Sequence, residues 1–211
     1  MCNLYSMRKG PAAILDLARA MGDVGNLEPR DLYPDYEAPI VRAGEAGGRT
    51  LAKARWGMPS PVFALEGKKV DKGVTNVRNV KSPHWRRWLG PDNRCLVPFT
   101  AFSEPGRDAA GAYRPIWFRV AGQADPEPLA FFAGIWTPAW TSTRKVKTGP
   151  ETLDLFAFLT TTPNAEVGAV HPKAMPVILT DPADLDTWMA APWEQAQALQ
   201  RPLPDGSLQI I

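Results

Sequence analysis

Five runs rich in β-branched and aromatic residues fill the second half of this chain: Cys95–Val97, Ile116–Val120, Leu129–Trp136, Leu153–Thr160 and Val177–Thr180. Each is short, bounded by turn residues, and reads as a strand. The segments between them, 106–111, 121–128 and 141–150, carry Gly and Pro and read as loops within one domain. An earlier run, Leu51–Trp56, alternates small and charged residues before Gly57-Met58-Pro59 and reads as one more strand entering a turn. Helix signals are fewer. Pro11–Met21 places Ile14, Leu17, Ala18 and Met21 on one face, with Gly22 as a stop. Ser82-Pro83 opens a predicted short helix over His84–Leu89, and Asp181-Pro182 opens another with an apolar stripe of Leu185, Trp188 and Met189. The expected architecture is a single α+β domain over residues 1–211, with a mostly antiparallel, barrel-like β core flanked by short helices.

At 45% hydrophobic residues over 211 positions the chain can bury a real core. Its 22 prolines therefore mark turns, not disorder. There is no apolar run long enough to span a bilayer and no signal-peptide layout, so a cytoplasmic or nucleoid location is expected, and a monomer is expected as well. Two cysteines, Cys2 and Cys95, make no disulfide framework.

The overall charge of +2 conceals an uneven distribution. Between Lys68 and Arg94 eight basic residues face only Asp71 and Asp92, while Trp85, Trp88 and His84 lie among them. Cations beside aromatic faces suit the phosphates and unstacked bases of a single strand. A solvated charged face that binds nothing is the plainer reading of such a run.

Cys2 stands directly behind Met1. With Met1 removed, its α-amine (pKa roughly 7.7–8) and thiol (about 8.5) sit on adjacent carbons. That pair can condense with an aldehyde to an imine and close a five-membered thiazolidine, which an internal cysteine cannot do. Other chemistries lack support. His84, His171 and the two cysteines show none of the paired spacings of a zinc site, so no metal and no cofactor are expected. No phosphate-binding glycine loop, metalloprotease helix or Gly-x-Ser-x-Gly elbow occurs.

Met1-Cys2-Asn3, Thr75–Asn79, Arg94–Pro98 running to Phe102–Pro105, and His171–Val177 occur in this order, together with Tyr33–Pro39 and Ala54–Met58. The ordered set resembles the SOS-response-associated peptidase family, abasic-site processing proteins that crosslink to single-stranded DNA through an N-terminal cysteine. The resemblance implies a site of Cys2, Asn76, Glu104 and His171. Asn76 would bond the opened sugar or the Cys2 backbone, Glu104 would shuttle protons, and His171 would act as a general acid. Taken alone, Ser103-Glu104-Pro105 reads as a loop with an exposed Glu, and His171 as a structural loop residue. The resemblance also implies a phosphate contact at Arg78. With the basic stretch, the expected DNA-binding set adds Lys81, Trp56, Trp85, Arg86, Arg87 and Lys173. The expected partner is single-stranded DNA containing abasic sites. Pro105 departs from the aromatic residue common at that position. Two other functions stay open: a thiol peptidase acting on other proteins with Cys2 as nucleophile and His171 as base, and a non-covalent single-strand-binding module.

Overall fold

The computed structural model describes residues 2–107 and 110–211; Met1, whose removal the sequence reading requires, lies outside them. In chain order the strands are β1 (Tyr5–Met7), β2 (Arg30–Leu32), β3 (Glu37–Ala43), β4 (Arg49–Trp56), β5 (Asn76–Val77), β6 (Arg94–Phe99), β7 (Ala101–Arg107), β8 (Tyr113–Val120), β9 (Ala130–Thr143), β10 (Pro150–Thr161), β11 (Met175–Pro176), β12 (Ile178–Leu179) and β13 (Leu208–Ile210). The helices are α1 (Pro11–Ala18), α2 (Val62–Leu65), α3 (Ala165–Val170), α4 (Pro182–Ala190) and α5 (Trp193–Ala196).

Five strands close on themselves in the order β10-β4-β3-β6-β9 and back to β10. Every pair in this ring is antiparallel except β4–β10, which is parallel through Leu155↔Arg55 and Phe156↔Trp56. Closure leaves no free edge within the ring. A second antiparallel sheet, β13-β8-β7-β1-β2, covers one side.

The core lies where the two sheets meet. Phe132 of β9 stacks on Phe99 at 3.9 Å between ring centroids and meets Phe158 at 4.5 Å, Tyr5 at 5.7 Å and Phe102 at 6.0 Å. This cluster joins β1 and β7 to the barrel wall. All six residues of β6 are buried, since one face looks into the barrel and the other meets α4. Trp188 of α4 is fully buried and donates its indole N–H to the carbonyls of Cys95 (3.0 Å) and Gly134 (3.2 Å). Gly134 permits the close packing, because a Cβ there would stand 2.7 Å from Cys95 Sγ.

Several local expectations need correction. Helix α1 ends at Ala18, where Arg19 turns left-handed (φ 47), so Gly22 is not its stop and Met21 is exposed. The segment His84–Leu89 forms only a 3-10 turn over Arg86–Trp88, with no side-chain cap from Ser82. Strand β9 runs on to Thr143 through a segment expected to be a loop. It pairs with the start of β10, with Thr141 and Thr152 hydroxyls 2.7 Å apart. Pro138 is accommodated beside Ala139 (φ 44), where the register shifts and Ala139 N–H is taken by Asp154 at 2.9 Å. The α4 expectation holds in detail: the Asp181 side chain caps it through Ala183 N–H at 2.8 Å, and Leu185, Trp188 and Met189 are buried.

Candidate functional site

Cys2 is held by the second sheet. Strand β1 pairs with β7 through Tyr5↔Phe102 and Ser6↔Ala101, and Ser103 N–H donates to Leu4 O at 2.9 Å. The residues before β1 therefore run along Ser103 and Glu104. Glu104 is 1% exposed in β7, not on a loop surface: strand alternation turns it inward, and Pro105 meets no obstacle in a β7–β8 pair that continues to Arg107↔Tyr113.

Asn76 reaches the same place from the barrel. Strand β5 pairs in parallel with β10 (Phe158↔Asn76) and prolongs the line of β4 along the same edge. Between them the chain makes an excursion over residues 57–75, pinched at its neck by the Met58–Val74 bridge. Arg144 seals that neck. Its buried guanidinium donates to Gly57 O and to Asp71 O, and the Asp71 carboxylate accepts from Ser60 and from Gly73 N–H. Gly57 (φ +140) and Gly73 (φ +78) are required there, since a Cβ on Gly73 would lie 2.1 Å from Arg144 Nη1.

Asn76 Nδ2 then donates to the Cys2 carbonyl at 2.8 Å, fixing the backbone of the cysteine. Thr75 Oγ1 and Asn3 Oδ1 lie 2.9 and 3.4 Å from the same nitrogen. Asn76 Oδ1 is buried with no hydrogen-bond partner among the described residues, so it is left as an acceptor for an incoming hydroxyl.

His171 caps the end of α3, its N–H bonded to Val167 O at 2.7 Å. Its Nδ1 lies 3.1 Å from Ala174 O and 3.5 Å from Glu104 Oε2. A carbonyl can only accept, so Nδ1 carries a proton and, in the neutral ring, Nε2 is the acceptor. Cys2, Asn76, Glu104 and His171, which lie far apart in sequence, thus come together.

Burial governs the electrostatics. It pushes the Cys2 thiol far above its ordinary range, and the neighbouring Glu104 carboxylate adds to the effect, so the thiol is neutral and rests its S–H toward Leu4 O at 3.5 Å. Burial also raises Glu104, against the opposing pull of His171 and the Cys2 N–H. A carboxyl whose folded pKa is raised favours folding at low pH and loses that contribution as pH rises through its folded value. Glu104→Gln is therefore expected to melt higher than the parent at pH 8, with the gap closing toward pH 4. Thermal melts across that range check it, and a gap that widens on acidification would reverse the assignment.

The other expected residues divide into two groups. Arg78 is exposed, and its Nη1 donates to Thr161 O (3.0 Å) and Lys173 O (2.9 Å), which ties the His171 loop to the end of β10. Its Nε and Nη2 have no partner among the described residues. Lys81, Arg86, Arg87 and Lys173 are exposed, although Arg87 lies over the Trp88 ring at 4.7 Å. Trp56 and Trp85 are corrected as base platforms. Trp56 is fully buried, packs on Tyr5 and Phe158, and donates to Thr75 O at 3.0 Å, so it supports the strand bearing Asn76. Trp85, 6% exposed, packs against His84 and Trp88. Arg94 of the basic stretch is also buried, over Trp188. Asn3 and Thr75 were not singled out as site residues, although both lie in the motif stretches. Among the described residues no group of three or more His, Cys, Asp or Glu is gathered that could hold a metal.

The family model for SOS response associated peptidase (SRAP) matches residues 1–211, the whole chain. The chain belongs to the SRAP family. Solved structures repeat its fold. A Bacteroides thetaiotaomicron protein superposes with a TM-score of 0.73 at 19% identity, covering 100% of this chain and 92% of its own. A Bordetella bronchiseptica protein gives 0.69 at 23%, covering 100% and 99%. A phage-related protein from the same organism gives 0.69 at 20%, covering 100% and 93%. A comparison with curated proteins gave no significant match. In this SRAP chain Asn76, Glu104 and His171, from three motif stretches that lie apart in sequence, gather at Cys2.

Proposed function

We propose that this chain captures the aldehyde of an abasic site in single-stranded DNA through Cys2, after Met1 has been removed. The observation that carries the reading is the seating of Cys2: its carbonyl is held by Asn76, and its thiol and N–H lie against Glu104, which His171 faces. Peptide hydrolysis by a thiol has no use for the α-amine that Met1 removal would leave on Cys2, whereas condensation with an aldehyde consumes both the amine and the thiol.

In the proposed reaction the Cys2 amine attacks the aldehyde carbon and a carbinolamine forms. Its hydroxyl leaves as water, taking a proton that Glu104 can supply because burial keeps its carboxyl protonated to higher pH. The iminium nitrogen returns a proton to the Glu104 carboxylate, and the thiol then adds to the imine carbon with its proton passing to the nitrogen. The net change is one C–N and one C–S bond formed, the C=O bond broken and one water released. His171, the site residue whose side chain keeps 14% exposure, marks the side from which the opened sugar enters. Asn76 Oδ1 is placed to accept from a sugar hydroxyl.

The test uses protein whose intact mass shows that Met1 is gone, incubated with single-stranded DNA containing one abasic site. The expected product survives denaturation and has the summed mass of both components less one water. Protein that retains Met1 has an amide in place of the amine and is expected to give none. No stable adduct from the trimmed protein would overturn the reading.

A further inference from the structure

The basic stretch borders a groove that the Cys2 chemistry does not use. It has a volume of about 600 Å³ and lies between the 80–90 segment and the C-terminal helical region, lined by Lys81, Arg86, Leu89, Trp193, Gln197 and Gln200. Gln200 joins it to the reactive site. Its Nε2 donates to Arg78 O (2.8 Å) and Thr160 O (2.9 Å), while Thr161 Oγ1 donates to Gln200 O at 3.2 Å. Arg78 thus stands between Asn76 on one side and the groove on the other, a short step along the same extended segment. Trp193 is half-buried, its inner edge on Trp188 at 6.2 Å, and it lines the groove. Lys81 and Arg86 are exposed and form no ion pair among the described residues. An indole face, two amide side chains and two unpaired cations are the pieces that hold an unstacked base by its ring and its phosphate by charge.

We infer that this groove is a nucleobase subsite for single-stranded DNA, with Trp193 as the stacking face and Lys81 and Arg86 on the adjoining phosphates. It takes the stacking role that the buried Trp56 and Trp85 cannot fill. It rests on the DNA-directed reading of the Cys2 site, but its test does not need crosslinking.

Binding of an undamaged oligonucleotide is measured by fluorescence anisotropy over a salt series. A second oligonucleotide carrying 5-iodouracil is photocrosslinked and the modified peptide mapped. Trp193→Ala is expected to weaken binding by about 5- to 150-fold, the range for losing one stacked base, and Trp193→Phe to restore most of it. Because Trp193 also packs on Trp188, the exposed pair Lys81→Glu and Arg86→Glu gives an arm with no core contact. It should lower the slope of log affinity against log salt by about two. Photocrosslinks are expected on the Trp193 peptide. Affinity within twofold in Trp193→Ala, an unchanged salt slope in the charge-reversed protein, or photocrosslinks confined to other peptides would overturn the subsite. A wild type that binds undamaged DNA through Trp193 yet forms no adduct would sink the capture reading and leave the groove standing.

Discussion

Cys2→Ser is expected to reduce the denaturation-stable adduct with abasic DNA to background. The serine amine still forms an imine, but an imine hydrolyses on denaturation, and a hydroxyl closes no comparably stable ring. Adding cyanoborohydride to the variant should bring an adduct back by reducing the imine, which places the defect at the thiol step. The fold should tolerate the change, since the smaller hydroxyl can donate to Leu4 O as the thiol does. Salt-sensitive binding of undamaged single strands should therefore stay within twofold of the parent. Denaturing gels with and without reductant, beside an anisotropy titration, make the comparison. A wild-type yield of stable adduct without reductant would remove the thiol from the mechanism.

The second large effect is structural. Phe132→Ala deletes the ring on which Phe99, Phe158, Tyr5 and Phe102 converge, at a site with no exposure. The strands that bear those rings are locked into a closed ring and a covering sheet, so the cavity cannot collapse. The expected cost is about 3–5 kcal/mol, a large part of the roughly 5–15 kcal/mol that a domain retains. For this length that is a fall of about 6–20 °C in melting midpoint. Phe132→Leu should lose much less. Calorimetry of both variants decides, and an alanine variant melting within 2 °C or so of the parent would mean that the cluster does not bind the two sheets together.

The long apolar strands were legible in the sequence because β6, β9 and β10 are buried over most of their length and carry the residues that pleated, packed surfaces favour. Helix α4 was legible because its start is written in local chemistry, Asp181 followed by Pro182. Short strands were not. Strand β5 has two residues and exists because β10 runs on past its pairing with β4 and offers unpaired backbone groups there, and β1 is ordered by β2 and β7 on either side. No local pattern announces such pairing.

The same reason hid the depth of Glu104. Ser103-Glu104-Pro105 has loop composition, and only the partner strand β8 makes it a strand with the carboxylate inward. The identities of Cys2, Asn76, Glu104 and His171 came from ordered motifs, whereas their convergence is a property of four separate segments: the lead into β1, β5, β7 and the end of α3. Tryptophan was the misleading signal. Charges on either side of Trp85 suggested a surface, yet its ring turns under them to meet Trp88.

The parallel join between β4 and β10 has a temporal consequence. Because Asn76 extends that join along β10, the clasp on Cys2 cannot be completed until the polypeptide has been made past residue 158. At a synthesis rate of about 5–20 residues per second, the first residues wait some 8–30 s, at order of magnitude, before their clasp exists. On the capture reading, removal of Met1 from the nascent chain would precede the clasp, and the seating of Cys2 by Asn76 is a late event in the birth of the molecule.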